Sequence, residues 1–152
     1  MTNNVSSAPL LSVRDLKVHF KVRAGGWGKQ PAVVHAVDGV SFDVASGRTM
    51  AIVGESGSGK TTTALSVMRL APVTSGSIKF NGVELTGLQG EALRQQRRNL
   101  QLVFQDPYSS LNPRQRAGEI VRAPLVLMGI GTPAEQREKV NELFRLVGLR
   151  EE

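Results

Sequence analysis

The 152-residue sequence contains no cysteine. That excludes a disulfide framework and any thiolate metal site, and it fits a reducing compartment. Aromatic residues make up only 5% of the chain against 40% hydrophobic content, so the core is expected to be aliphatic and β-branched. A domain of this length buries roughly 68–70% of its unfolded surface, enough for one real core. No stretch approaches the roughly 20 consecutive apolar residues that a membrane span needs. Any membrane link is therefore expected to come through another chain. The opening residues, MTNNVSSAPLL, carry no basic side chain before Arg14 and no long apolar run, so a secretory signal is not expected. Acid is in the minority, 13 residues against 19 basic ones, for a net charge of +6. A basic surplus attracts nucleic acid, anionic lipid or nucleotide phosphates without choosing among them. A solvated basic surface explains most of these charges equally well.

Residues 1–9 are small and polar, and are expected to fray. Leu11, Val13, Leu16, Val18 and Phe20 roughly alternate with polar residues, which predicts a strand. Lys21–Gln30 (KVRAGGWGKQ) predicts an exposed loop; its Trp27 fits either a partner surface or local packing. Val33–Val44 returns to strand character, with Val40, Phe42 and Val44 on one face. Thr49–Val53 and Leu100–Phe104 are short apolar runs of the kind found in buried strands. Thr61–Leu70 has helical composition and ends before Pro72. Asn81-Gly82 between Ser77–Phe80 and Val83–Leu85 predicts a hairpin. Gln89–Asn99 predicts a charged helix whose Arg94, Arg97 and Arg98 read as a solvated face. Ala117–Met128 predicts a short helix interrupted at Pro124. In the last segment Thr132 and Glu135 form a capping box with Pro133 at the first helical position. Val140, Leu143, Phe144 and Val147 follow helical spacing, and Gly148 is a stop. Strands before and after helices place the chain in the α/β class. His19 and His35 show no partner pattern in the sequence and read as structural.

Gly54-Glu55-Ser56-Gly57-Ser58-Gly59-Lys60-Thr61 fits G-x-x-x-x-G-K-[ST] at every fixed position, between a predicted strand and a predicted helix. The chemistry requires these residue types. Glycines let successive backbone N–H groups turn inward around an anion, and the helix N-terminus adds partial positive charge. Ser56 and Ser58 are small enough to leave the approach open. Lys60 is expected to reach the β- and γ-phosphates, and Thr61 to place its hydroxyl on Mg2+. The competing reading is a chance glycine-rich turn.

The residues downstream discriminate among nucleotide-binding families. LQLVFQDPYSSLNPR at 100–114 resembles the Q-loop of ABC transporter ATP-binding subunits, in particular the dipeptide and oligopeptide import branch. AVDGVSFDV at 36–44, GESGSGKTT at 54–62, TSGSIKFNG at 74–82 and GLQGEALRQQRR at 87–98 resemble the same branch, in the same order. The resemblance runs from about Leu10 to Leu149. It implies an α/β, P-loop, ABC-type nucleotide-binding domain: an antiparallel β edge, core strands around the P-loop and the start of a helical subdomain. Residues 10–105 would form the ATP-binding core, and 106–152 the Q-loop segment and the start of the helical subdomain. It further implies ATP and Mg2+ as cofactors, held by Gly54 through Thr62 with Phe20 stacked on adenine. Phe20 also fits a plain core residue at a strand end. Gln105 would touch Mg2+ and the attacking water, in a loop that contacts the membrane subunit; otherwise it is an ordinary polar loop residue. The implied partners are a second ATP-binding subunit, membrane-spanning permease subunits and, indirectly, a solute-binding protein, at the cytoplasmic face of the membrane. No nucleic acid is implied.

The chain departs from the family pattern in three places. It contains no L-S-G-G-Q-like motif, no four-residue apolar strand ending in Asp-Glu, and no switch histidine. The expectation is a truncated, N-terminal piece of a peptide importer's ATPase, keeping the nucleotide cradle and lacking the hydrolytic machinery. A different P-loop enzyme would not explain the Gln105 segment. A basic, non-catalytic binding module would explain the pI of about 10.3 but not the loop.

Overall fold

The computed structural model describes residues 8–22, 32–106 and 110–150. Trp27 and most of the predicted 21–30 loop lie outside these residues, as do 1–7 and Pro107-Tyr108-Ser109. The chain forms two compact units, one ending at Leu102 and one beginning at Val103.

The first unit is built on a four-stranded antiparallel sheet in the order β2-β1-β3-β4. Its strands are β1 (Leu11–Val22), β2 (Ala32–Val44), β3 (Ser75–Phe80) and β4 (Val83–Glu84). The apolar residues of β1 change phase, from 11 and 13 to 16, 18 and 20. Asp15 accounts for this: it lies at φ 45°, and the register to β2 and β3 shifts around it. This bulge keeps Val13, Leu16 and Val18 on one buried face, where they pack with Val37, Ile78 and Leu85. Of the predicted Val40, Phe42 and Val44 face of β2, Phe42 packs against this core. Val37, two residues before Gly39 with its positive φ of 82°, is buried, while Val40 is 36% exposed.

Asn81-Gly82 forms the predicted hairpin turn, both residues taking positive φ (48° and 78°). Helix α1 (Lys60–Val67) packs against β1 and β2, and α2 (Gly90–Arg97) follows the hairpin. Arg97 corrects the solvated-face reading of α2. Its Nε donates to the carbonyl of Met68 at 3.0 Å and its Nη2 to that of Arg69. It thereby satisfies carbonyls left open at the end of α1. Arg94 does face outward and pairs with Glu91 at 3.5 Å.

Two expectations fail. Residues 49–53 and 100–104 form no strand in the described residues, and Val53 and Val103 are 87% and 83% exposed. A strand exists through its ladder, and no described strand lies beside either run.

The second unit contains α3 (Ala117–Leu127) and α4 (Pro133–Leu146), which pack on one another. Helix α3 runs through Pro124 instead of breaking there. The proline removes one N–H, but its own carbonyl still accepts from Met128 at 3.0 Å. At the start of α4 the capping box forms in full: Glu135 Oε2 accepts from Thr132 N at 2.7 Å, and Thr132 Oγ1 accepts from Glu135 N at 3.4 Å. Of the predicted apolar stripe, Val140 and Phe144 are buried, whereas Leu143 and Val147 are exposed. Gly148 takes the left-handed conformation expected of a stop, φ 72°.

Candidate functional site

The loop before α1 lies at the surface, with residues 54–58 exposed. Ser58 N donates to the carbonyl of Glu55 at 3.2 Å, which tightens the turn. Gly59 caps α1 from the left-handed region, φ 89° and ψ 4°. A methyl group there would stand 2.3 Å from the carbonyl oxygen of Ala36 and 3.5 Å from Val37 Cγ2. Glycine is therefore required twice, by conformation and by the approach of β2. The loop is pinned to the sheet at the point where the helix begins. Thr63 N and Thr63 Oγ1 both donate to the Gly59 carbonyl, at 2.8 and 3.0 Å.

Lys60 bends back over the loop. Its Nζ donates to the carbonyls of Gly54 at 2.9 Å and Glu55 at 2.7 Å, and lies 3.4 Å from Ser58 Oγ. The ammonium is thus held across the loop mouth by the loop's own backbone. The first turn of α1 carries no acidic residue, so the positive helix end and the lysine act together on whatever sits in front of them. Thr61, exposed, and Thr62, half-buried, follow on the first turn. The sequence-predicted loop residues Gly54, Glu55, Ser56, Gly57, Ser58, Gly59, Lys60, Thr61 and Thr62 are brought together in one turn and helix start. An anion facing the loop amides and the lysine is what this arrangement accommodates.

Phe20 lies on β1 opposite Val34, outside the buried core and 37% exposed. Gln105 belongs to the second unit, where it is exposed in a bend. The neighbouring Asp106 carbonyl accepts from Ser110 Oγ at 3.0 Å, and Asn112 Oδ1 accepts from Arg114 N at 3.0 Å.

One cluster escaped the sequence reading. His19 on β1 stands opposite His35 on β2. Their rings stack, with centroids 3.9 Å apart and planes 24° apart. The Asp38 carboxylate reaches both, 3.4 Å from His19 Nε2 and 3.4 Å from His35 Nδ1. The hydrogen bond with His35, the largest influence, together with those of His19 and the charge of Lys17, holds the Asp38 carboxyl below its ordinary range against the opposing effect of desolvation, which ranks second. Only the cross-strand register brings these residues together, and residue spacing alone carried no signal of it.

The fold is that of ATP-binding cassettes. An ATP-binding cassette solved as a dimer in a post-hydrolysis state with ADP and Pi superposes with a TM-score of 0.73 at 23% identity, covering 92% of this chain and 58% of that one. The sequence makes the assignment specific: residues 37–152 match the ABC transporter family model, and the chain belongs to that family. It is 46% identical over 143 residues to the di/tripeptide transport ATP-binding protein DppF of Pseudomonas aeruginosa, covering 94% of this chain and 44% of that protein. It is 44% identical to the oligopeptide transport ATP-binding protein AppF of Bacillus subtilis, covering 92% and 43%. It is 42% identical to the glutathione import ATP-binding protein GsiA of Salmonella paratyphi A, covering 97% and 24%. The chain spans less than half the length of these relatives.

Proposed function

We propose that this chain is the nucleotide-binding part of an ABC transporter subunit that couples ATP binding and hydrolysis to import of peptides or related small solutes. The observation that carries the reading is the loop itself, with Lys60 poised over Gly54 and Glu55 at the start of α1. The names of the relatives, which are peptide and glutathione import proteins, supply the solute class.

The residues present fit a nucleotide triphosphate. Loop amides and the N-terminus of α1 receive the phosphate oxygens. Lys60 exchanges its two carbonyl contacts for the β- and γ-phosphates, a stronger, charge-assisted pairing. Phe20, not committed to the core, stacks on the adenine ring. The exposed Thr61 hydroxyl is the donor available to Mg2+, which when bound neutralises phosphate charge. Gln105 couples the nucleotide state to the membrane subunits. A second ATP-binding subunit and two permease subunits complete the assembly, at the cytoplasmic face of the membrane. Among the described residues no helix is long and apolar enough to cross a membrane; in this reading the link to the bilayer is the contact with those permeases. Residues 1–152 bind nucleotide but do not turn it over, since their sequence holds neither an apolar strand ending in Asp-Glu nor an L-S-G-G-Q motif.

The test is equilibrium ATP binding and phosphate release by the wild-type chain and by Lys60→Ala. Loss of the charged contact is expected to weaken binding by roughly 1.5–3 kcal/mol. Unchanged affinity in the variant would refute the assignment of the loop. Steady turnover that disappears in the variant would refute the claim that this chain lacks a complete active site.

A further inference from the structure

We propose that His19, His35 and Asp38 form a binding site for one divalent transition-metal ion of the zinc class, on the β1–β2 ladder beside Phe20. The three donor atoms lie within 4.8 Å of one another. Zinc bound tetrahedrally at ~2.0–2.1 Å spaces its ligands roughly 3.4 Å apart. Asp38 Oδ1 lies 3.4 Å from His19 Nε2 and Asp38 Oδ2 lies 3.4 Å from His35 Nδ1, so each imidazole nitrogen has one carboxylate oxygen at about that spacing. His19 Nε2 is a buried atom whose polar neighbour is the Asp38 carboxylate, 3.4 Å away. A metal ion between this ring nitrogen and the carboxylate would be a closer partner for both than they are for each other.

The scaffold is set by the sheet. His19 and His35 are direct cross-strand partners, and Asp38 lies three residues further along β2. The β1–β2 register shifts between Val18 and His19, so that His19 pairs with His35 while Val18 pairs with Val37. His19 is fixed, with its backbone N–H donating to Thr74 Oγ1 at 2.8 Å. A metal must lie in the plane of each coordinating ring, so the stacked pair has to open. His35, with its side chain 53% exposed, is the ring free to turn. Solvent supplies the fourth position.

Donor chemistry decides the ion. Two imidazoles and one carboxylate suit zinc, nickel or copper and are a poor set for Mg2+ or Ca2+, which prefer all-oxygen shells. The site is thus separate in kind from the nucleotide's Mg2+. Lys17 opposes it: its ammonium lies 3.9 Å from Asp38 Oδ1 and 3.9 Å from Asp15 Oδ1. Removing that charge is expected to strengthen binding. An ion held here would clamp β1 to β2 at the pair next to Phe20 and Val34, stiffening the strand end that carries Phe20.

The chain has two histidines and no cysteine, so tag-free protein offers no competing imidazole or thiolate site. The experiment titrates that protein with Co2+, followed by its visible absorption, and then displaces Co2+ with Zn2+, all without nucleotide. One equivalent is expected, with ligand-field bands that Zn2+ abolishes. His35→Ala and Asp38→Asn, both at exposed positions, are expected to weaken Zn2+ binding about tenfold or more, with thermal unfolding of the metal-free proteins showing that they still fold. Lys17→Met should tighten it, and Lys60→Ala should leave it unchanged. Absence of saturable binding, or equal Zn2+ affinity in wild type and both ligand variants, would overturn the proposal.

Discussion

Glu84 should set the acid stability of the β3–β4 hairpin. Burial raises the pKa of its carboxyl, but four hydrogen bonds outweigh that effect and bring it down to about 2, from 4.5. Its Oε1 accepts from Ile78 N at 3.0 Å, Thr86 N at 3.2 Å and Thr86 Oγ1 at 2.6 Å, while Oε2 accepts from Ser77 Oγ. The carboxylate thus ties β3 to the residues that follow β4, next to the buried Ile78 and Leu85. A depressed pKa means stability that is fully present above the unfolded value and lost as pH falls through the folded one. The window is therefore pH 4.5 down to about 2. Linkage puts the loss at no more than about 3 kcal/mol. Asp38, Asp43 and Glu135 are also shifted down, and these exposed groups add shallower slopes over the acid range. Glu84→Gln removes the charge while keeping one carbonyl acceptor. It is expected to cost about 2 kcal/mol at pH 7, as charge-assisted hydrogen bonds become neutral. It should also flatten the pH dependence below 4.5. Urea unfolding followed by circular dichroism at pH 7, 4.5 and 3 measures both effects. A variant as stable as wild type at pH 7, or one with the same slope between pH 4.5 and 3, would refute the reasoning.

Three further outcomes are expected. Phe20→Ala should weaken ATP binding by roughly 0.5–1.5 kcal/mol while Phe20→Tyr stays near neutral; equal loss of folding in both, with unchanged affinity in the folded protein, would return Phe20 to a structural role. Gly59→Ala should destabilise the first unit by at least about 2 kcal/mol, because the left-handed conformation and the Ala36 carbonyl at 2.3 Å both oppose a methyl group; a melting temperature equal to wild type would contradict this. Gln105→Ala, introduced into an assembled transporter, should lower coupled ATPase activity and transport more than ATP binding, and an unchanged transport rate would count against a coupling role.

The features legible in the sequence are those decided within a few residues. The capping box of α4 needs only Thr132 and Glu135, three apart. The hairpin turn needs only Asn81 and Gly82, and the loop at Gly54–Thr61 carries its conformation in its own glycines. Features that depend on a distant partner were not legible. The phase change in β1 is visible as apolar residues at 13 and 16, yet its meaning needs the register against β2 and β3. Arg97 looked like one more solvated charge until the fold brought it to the carbonyls of Met68 and Arg69. The apolar runs at 49–53 and 100–104 have strand composition, but composition cannot supply a neighbouring ladder, and the described residues provide none. Pro124 shows the converse: a local penalty of about 3 kcal/mol did not decide the end of α3, because packing against α4 and the remaining helical bonds outweigh it. His19 and His35 follow the same logic as Arg97. Sixteen residues apart in sequence by their numbers, they acquire a shared carboxylate only when β1 and β2 pair. Local chemistry made the loop at Gly54–Thr61 readable from the chain, whereas the His–Asp cluster is a product of the sheet, and the two proposals are for that reason open to independent experimental failure.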